Sequence, residues 1–116
     1  MYFEQENYIE YDEPEVWKDI DGYEGLYRIS SYGRVHSITS NKILKLGSTT
    51  KNYKQVNLSK NDTHNTLSVH RLVAKNFVPI SQELLDQGYT YDTLQVNHID
   101  ENPANNYYKN LEWCTP

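Results

Sequence analysis

The sequence predicts an α+β protein: a small N-terminal antiparallel sheet, a short helix, and a C-terminal β-hairpin. Three observations carry this. Between residues 26 and 59, four short β-type runs (LYRIS, RVHSI, KILKL and YKQVNLS) are separated by polar, turn-prone residues. The stretch SVHRLVAKNFVP, 68–79, has helical periodicity. Near the end of the sequence, LQVNHI and NLEWC flank an Asn-rich loop, as the two arms of a hairpin would.

Taken in order, residues 1–14 mix acids with Tyr2, Tyr8 and Tyr11 without a clean period and read as a tail. LYRIS (26–30) and RVHSI (34–38) are strands parted by Ser31-Tyr32-Gly33. KILKL (42–46) and YKQVNLS (53–59) follow, joined by the polar stretch 47–52, and residues 60–65 read as a turn. In the helix, Ser68 is the candidate N-cap, Val69, Leu72, Val73 and Phe77 share one face, and Pro79 ends it. Arg71 and Lys75, four apart, share the other face. A second short helix is expected from about Ser81 to Gln87, with Gly88 as its stop.

Length fits one domain, and no apolar run is long enough to span a membrane. The acidic N-terminus has no apolar core of a signal peptide. A single cysteine, Cys114, excludes a disulfide framework and fits a reducing, intracellular setting. The net charge of −5 hides an asymmetry: residues 1–24 carry −8, residues 25–75 carry +8, and residues 76–116 carry −5. A basic middle with an acidic tail points to polyanion binding or self-masking, and equally to an ordinary solvated face.

In the last stretch, VNHIDENPANNYYKNLEWCTP, alternation puts Leu94, Val96 and His98 on one strand face and Gln95, Asn97 and Ile99 on the other. His98 and Asn110 are then expected to face each other across the hairpin. An imidazole is the natural general base near neutral pH once its other ring nitrogen is held by an acceptor. The oxygen of an adjacent Asn suits a hard cation such as Mg²⁺. The same pattern also reads as a hydrogen-bonded structural His among turn-forming asparagines.

VHRLVAKNFVP followed by VNHIDENPANNYYKNLEWCTP resembles the HNH endonuclease domains of phage and intron-encoded homing enzymes. Upstream, EVWKDIDGYEGLYRISSYGRVHSI resembles the NUMOD4 module that often precedes them. The resemblance implies a ββα-metal fold and three parts: an acidic tail (1–14), a NUMOD4-like DNA-binding module (15–60) and an HNH nuclease-like module (61–116). It implies His98 as general base, Asn97 as ligand to Mg²⁺ or Mn²⁺, and Asn110 as the residue bracing the loop and orienting the catalytic His. Asp100 is expected to stabilise the turn, and His70 to be structural or near the phosphate backbone. Two departures stand out. Glu101 occupies a position where the family usually has Gly, which implies strain or an altered turn. At Thr115-Pro116, where the family's last helix and its second metal ligand would follow, the given sequence ends, so the motif is incomplete and weak metal binding is expected.

The leading expectation is a phage-type DNA endonuclease in the cytoplasm of a bacterial host, with no membrane association. It would grip double-stranded DNA through Arg28, Arg34, Lys42, Lys45, Lys51, Lys54, Arg71 and Lys75, contacts that position without reading bases. Two alternatives are a catalytically inactive DNA-binding remnant, and an inhibitor or decoy whose acidic tail engages a protein partner.

Overall fold

The computed structural model describes residues 11–116. The fold is α+β, as expected. Strands β1 (Trp17–Asp19), β2 (Tyr27–Ser30), β3 (Val35–Ser37) and β4 (Lys42–Ile43) form a four-stranded antiparallel sheet in that order. Strands β5 (Gly47–Ser48), β6 (Lys54–Lys60) and β7 (Thr63–Ser68) form a second sheet. Helix α1 (Val69–Phe77) and the single-turn α2 (Gln82–Asp86) follow, and β8 (Gln95–His98) pairs with β9 (Leu111–Cys114).

The largest departure from expectation is β7. Residues read as a turn continue as a strand, because the reversal is confined to Asn61-Asp62, both at positive φ (52° and 65°). That two-residue geometry suits the right-handed twist of flanking strands, and Asn and Asp tolerate it better than other non-glycine residues. The polar composition THNTLS hid the strand. Val56 and Leu58 of β6 point into the core, while Gln55, Asn57 and Ser59 pair with Ser68, Thr66 and His64 on the opposite, polar face.

Helix α1 lies at the centre. Val69, Val73 and Ala74 are fully buried with Ile29 and Val35 of the first sheet, Val56 and Leu58 of the second, and Leu111 of the hairpin. One amphipathic helix thus covers a face of each sheet, which none of these short strands could bury alone. The hairpin is fastened to the helix end by the Trp113 indole N–H, which donates to the Val78 carbonyl at 2.8 Å. Ser68 sits at the N-cap position as expected, but its hydroxyl makes no capping bond. It meets the His70 ring instead, at 2.9 Å from Nδ1. In α2, Ser81 does cap, accepting from the Leu84 N–H. Among the described residues no helix is long and apolar enough to cross a membrane.

Candidate active site

His98 closes β8 and is 4% exposed. Its Cα partner is Leu111, not Asn110. The imidazole is oriented by Asn106, whose Oδ1 lies 2.8 Å from Nε2 and which is also 4% exposed. This corrects the expectation that Asn110 orients the ring. Asn110 belongs to a 3₁₀ turn (Tyr108–Asn110) one residue ahead of the returning strand, so its side chain points into the loop. There it accepts from the Asp100 N–H (3.0 Å) and donates to Asp100 Oδ1 (2.9 Å) and to the Asn105 carbonyl (2.8 Å). These bonds tie its side chain into the loop.

The density of asparagines follows from the backbone groups that such a loop leaves unpaired. Asn102 Oδ1 accepts from Ala104, and Asp100 Oδ1 accepts from the Asn102 N–H. The Asn105 side-chain amide donates to Asp100 Oδ2 at 2.8 Å. Hydrogen bonds from Asn105 foremost, then from the Asn102 backbone and Asn110, hold the Asp100 carboxyl below its usual range. Glu101 adopts φ +64°, the left-handed conformation for which glycine is the natural residue.

Asn97 faces the opposite, exposed side of β8 and pairs across the hairpin with Glu112. Its Nδ2 donates to Glu112 Oε2 at 2.7 Å. Glu112 was not singled out from the sequence. Only its register opposite Asn97 reveals it, and a strand-end Glu carries no signal by itself. Together the two offer hard oxygen donors of the kind Mg²⁺ or Mn²⁺ prefers. Mg²⁺ commonly takes one or two protein ligands and completes its shell with water and phosphate. The pair fits such a cation in kind, although the described residues hold no cluster of three or more His, Cys, Asp or Glu side chains able to bind a metal.

Two further rings stand beside His98. His70, in the first turn of α1, lies 5.1 Å from it between ring centroids. Tyr53, in the loop before β6, lies 5.4 Å from His70 and 5.8 Å from His98. Burial foremost, then the neighbouring His98 and Arg71 charges, lowers the His70 pKa to about 4, so its ring is neutral at pH 7.

The eight basic residues expected on DNA divide sharply. Arg34 forms a two-pronged pair with Glu15 and packs over Trp17, so the fold consumes its charge. Arg71 donates to the carbonyls of Leu94 (3.1 Å) and Tyr91 (2.5 Å) and lies over Trp113. It pins the segment entering β8 to α1. Arg28 pairs with Asp19 at 3.6 Å and Lys75 with Asp21 at 3.3 Å, both exposed. Lys42, Lys45, Lys51 and Lys54 make no ion pair among the described residues, and Lys54 only reaches the Ser48 hydroxyl. All four lie between β4 and the start of β6.

The hairpin loop rests on the first sheet. The Tyr108 N–H donates to the Ser31 carbonyl at 2.9 Å, and Gly33 (φ +90°) packs against Asn106. The expected acidic tail lies outside the described residues over 1–10, but its remainder is structural. Tyr11 stacks on Tyr107 at 3.8 Å, and the Glu13 carboxylate takes hydrogen bonds from Tyr108 (2.5 Å) and Lys109 (2.6 Å).

The NUMOD4 motif matches residues 15–59. The chain is 42% identical over 99 residues to DNA endonuclease I-HmuI of Bacillus phage SP01, covering 85% of this chain and 52% of that protein. It is 41% identical over 90 residues to an uncharacterised HNH endonuclease of Acanthamoeba polyphaga mimivirus, covering 78% of this chain and 24% of that one. A solved structure of DNA binding and cleavage by the HNH homing endonuclease I-HmuI is similar with a TM-score of 0.73 at 40% identity, over 86% of this chain and 52% of that one. The chain thus spans about half the length of the phage relative and a quarter of the viral one. With the His98 hairpin behind a NUMOD4 motif, the chain carries that motif and is similar over most of its own length to HNH homing endonucleases.

Proposed function

We propose that this chain carries the phosphodiester-cleaving site and part of the DNA-binding surface of an HNH homing endonuclease. The observation that carries the reading is the buried His98 held at Nε2 by Asn106. With the amide oxygen facing the ring, Nε2 bears the proton and Nδ1 keeps a lone pair. Nδ1 then takes a proton from water as that water attacks phosphorus; the bond from phosphorus to the leaving sugar oxygen breaks, that oxygen takes a proton from solvent, and the imidazolium returns its own to solvent. Asn97 and Glu112 would hold a divalent cation, which when bound supplies positive charge to the phosphate and the leaving oxygen. Lys42, Lys45, Lys51 and Lys54 set the duplex in place by phosphate contacts, alongside the uncharged polar face of β6 and β7. Arg34 and Arg71 are not part of that interface.

The test is supercoiled plasmid with Mg²⁺, Mn²⁺ or EDTA, for the parent chain and His98→Ala. Metal-dependent nicking by the parent alone is the expected result. Nicking that survives His98→Ala overturns the assignment. The small donor set at Asn97 and Glu112 favours one other reading, a DNA-binding chain without turnover. It would show salt-sensitive duplex binding and no nicking with any metal. With four lysines on phosphate, log K against log salt should fall with a slope of about −3 to −4.

A further inference from the structure

We infer that His70 is a second substrate-contacting residue of this site, its Nε2–H donating a hydrogen bond to a non-bridging oxygen of the scissile phosphate. The inference rests on the phosphodiesterase reading above and deepens it. Three observations lead there.

First, Tyr53, His70 and His98 form a near-equilateral cluster of rings with centroid separations of 5.1 to 5.8 Å. Tyr53 is 39% exposed while His98 is 4% exposed, so the cluster runs from solvent down to the general base. The loop that presents Tyr53 is fixed by reciprocal bonds between Thr49 and Tyr53, and it carries Lys51 and Lys54 on either side. A polyanion neutralising those lysines is brought alongside Tyr53, the open rim of the cluster.

Second, Ser68 stands at the N-cap position of α1 yet makes no cap bond. Its hydroxyl lies 2.9 Å from His70 Nδ1 and 3.5 Å from Nε2. A serine at this position ordinarily stabilises the helix by accepting from the first-turn N–H groups. Here that bond is forgone and the hydroxyl fixes an imidazole. When it donates to Nδ1, the proton of the neutral ring sits on Nε2, which has no short partner among the described residues.

Third, the ring is neutral at pH 7 for the reasons of burial and neighbouring charge given above. His98 becomes cationic when it takes the proton from water. A second cation 5.1 Å away would oppose that step, whereas a neutral donor does not. His70 can therefore bind developing negative charge without competing with the base. No proton is transferred from His70; it acts by hydrogen bonding alone.

The test compares the parent, His70→Phe and His70→Gln in single-turnover plasmid nicking with Mg²⁺ or Mn²⁺, alongside duplex binding in EDTA and thermal melting. His70→Phe keeps a ring of similar size without a donor. It is expected to lower the maximal rate about 10²- to 10³-fold. Duplex affinity should fall far less than the maximal rate, and the variant should still melt cooperatively. His70→Gln restores a neutral donor and is expected to recover at least about tenfold of the loss. A parental maximal rate in His70→Phe overturns the inference, as does an equal loss in both variants. A readout independent of turnover keeps the two levels separate. In the ¹⁵N-histidine-labelled chain in EDTA, the His70 Nε2 resonance, assigned by its absence in His70→Phe, should shift when duplex DNA is added. If the parent nicks nothing, the phosphodiesterase reading fails while that shift still supports phosphate contact. If the resonance does not move, His70 does not touch DNA and the inference falls.

Discussion

Replacing Gly33 with Ala tests whether the first sheet holds the His98 hairpin in register. Gly33 has φ +90°, and a Cβ built there would stand 2.8 Å from Asn106 Cβ and 3.1 Å from the Asn106 carbonyl oxygen. Two costs therefore add. An L-residue in left-handed backbone costs about 1–2 kcal/mol. Forcing a methyl group against packed atoms costs about 1–3 kcal/mol more. The total is about 3 kcal/mol. With an unfolding entropy of about 2.1 cal/mol/K per residue, this lowers the melting temperature by roughly 12 °C. Gly22 is the internal control: its φ is +84° but nothing lies within 4 Å of the added Cβ. Gly22→Ala should show only the backbone cost, a drop of roughly 4–8 °C. The assay is thermal melting followed by circular dichroism at pH 7 for the parent and both variants. Equal drops for the two would mean that the contact between the sheet turn and Asn106 carries no energy, and the proposed buttress would fail. In plasmid nicking the displaced Asn106 should also loosen its hold on His98, with a rate loss of about tenfold or more in Gly33→Ala and none in Gly22→Ala.

Three other outcomes follow from the same geometry. Asn106→Ala leaves the buried His98 Nε2–H without its acceptor and should cost about 1–3 kcal/mol in urea unfolding. It should also abolish the fixed tautomer, visible as exchange between the two ring nitrogens in ¹⁵N spectra. The acid limb of stability should reflect Glu13 and Asp100. Hydrogen bonds from Lys109 first and Tyr108 next lower the Glu13 pKa from 4.5, and Asn105 leads in lowering that of Asp100 from 3.8. Because both folded values lie below the unfolded ones, their stabilisation is fully present above pH 4.5 and is lost as pH falls through the folded values. Glu13→Gln should flatten that limb in melting scans below pH 4.5. Finally, Arg71→Ala should destabilise the fold without changing the salt slope of duplex binding. Lys51→Ala should reduce that slope by about 1 and leave the melting temperature unchanged.

Where one kind of local pattern sufficed, the sequence led to the right element. The apolar stripe Val69, Leu72, Val73 and Phe77 placed α1, since a 3.6-residue period has few other solutions. Alternation placed His98 on the buried face of β8, and Ser81 and Gly88 bounded α2. Local pattern failed at β7, whose outward face is polar and whose reversal needs only Asn61 and Asp62.

The functional roles divide in the same way. That His98 sits at a hairpin end opposite asparagines could be read from residue order. Which asparagine holds it could not, because a 3₁₀ turn shifts the register and hands the ring to Asn106 rather than Asn110. Glu112 gained its place beside Asn97 only through cross-strand pairing, and Tyr53 joined His70 and His98 only through folding. The basic residues show the reason most plainly. Composition counts charges, but an arginine's availability depends on its neighbours in space. Glu15 claims Arg34 and two backbone carbonyls claim Arg71, while Lys42, Lys45, Lys51 and Lys54 make no ion pair among the described residues. Periodicity is a property of neighbours along the chain, so sequence reports it. Hydrogen-bond partners 8 to 95 residues apart are decided when the sheets and hairpin close around α1.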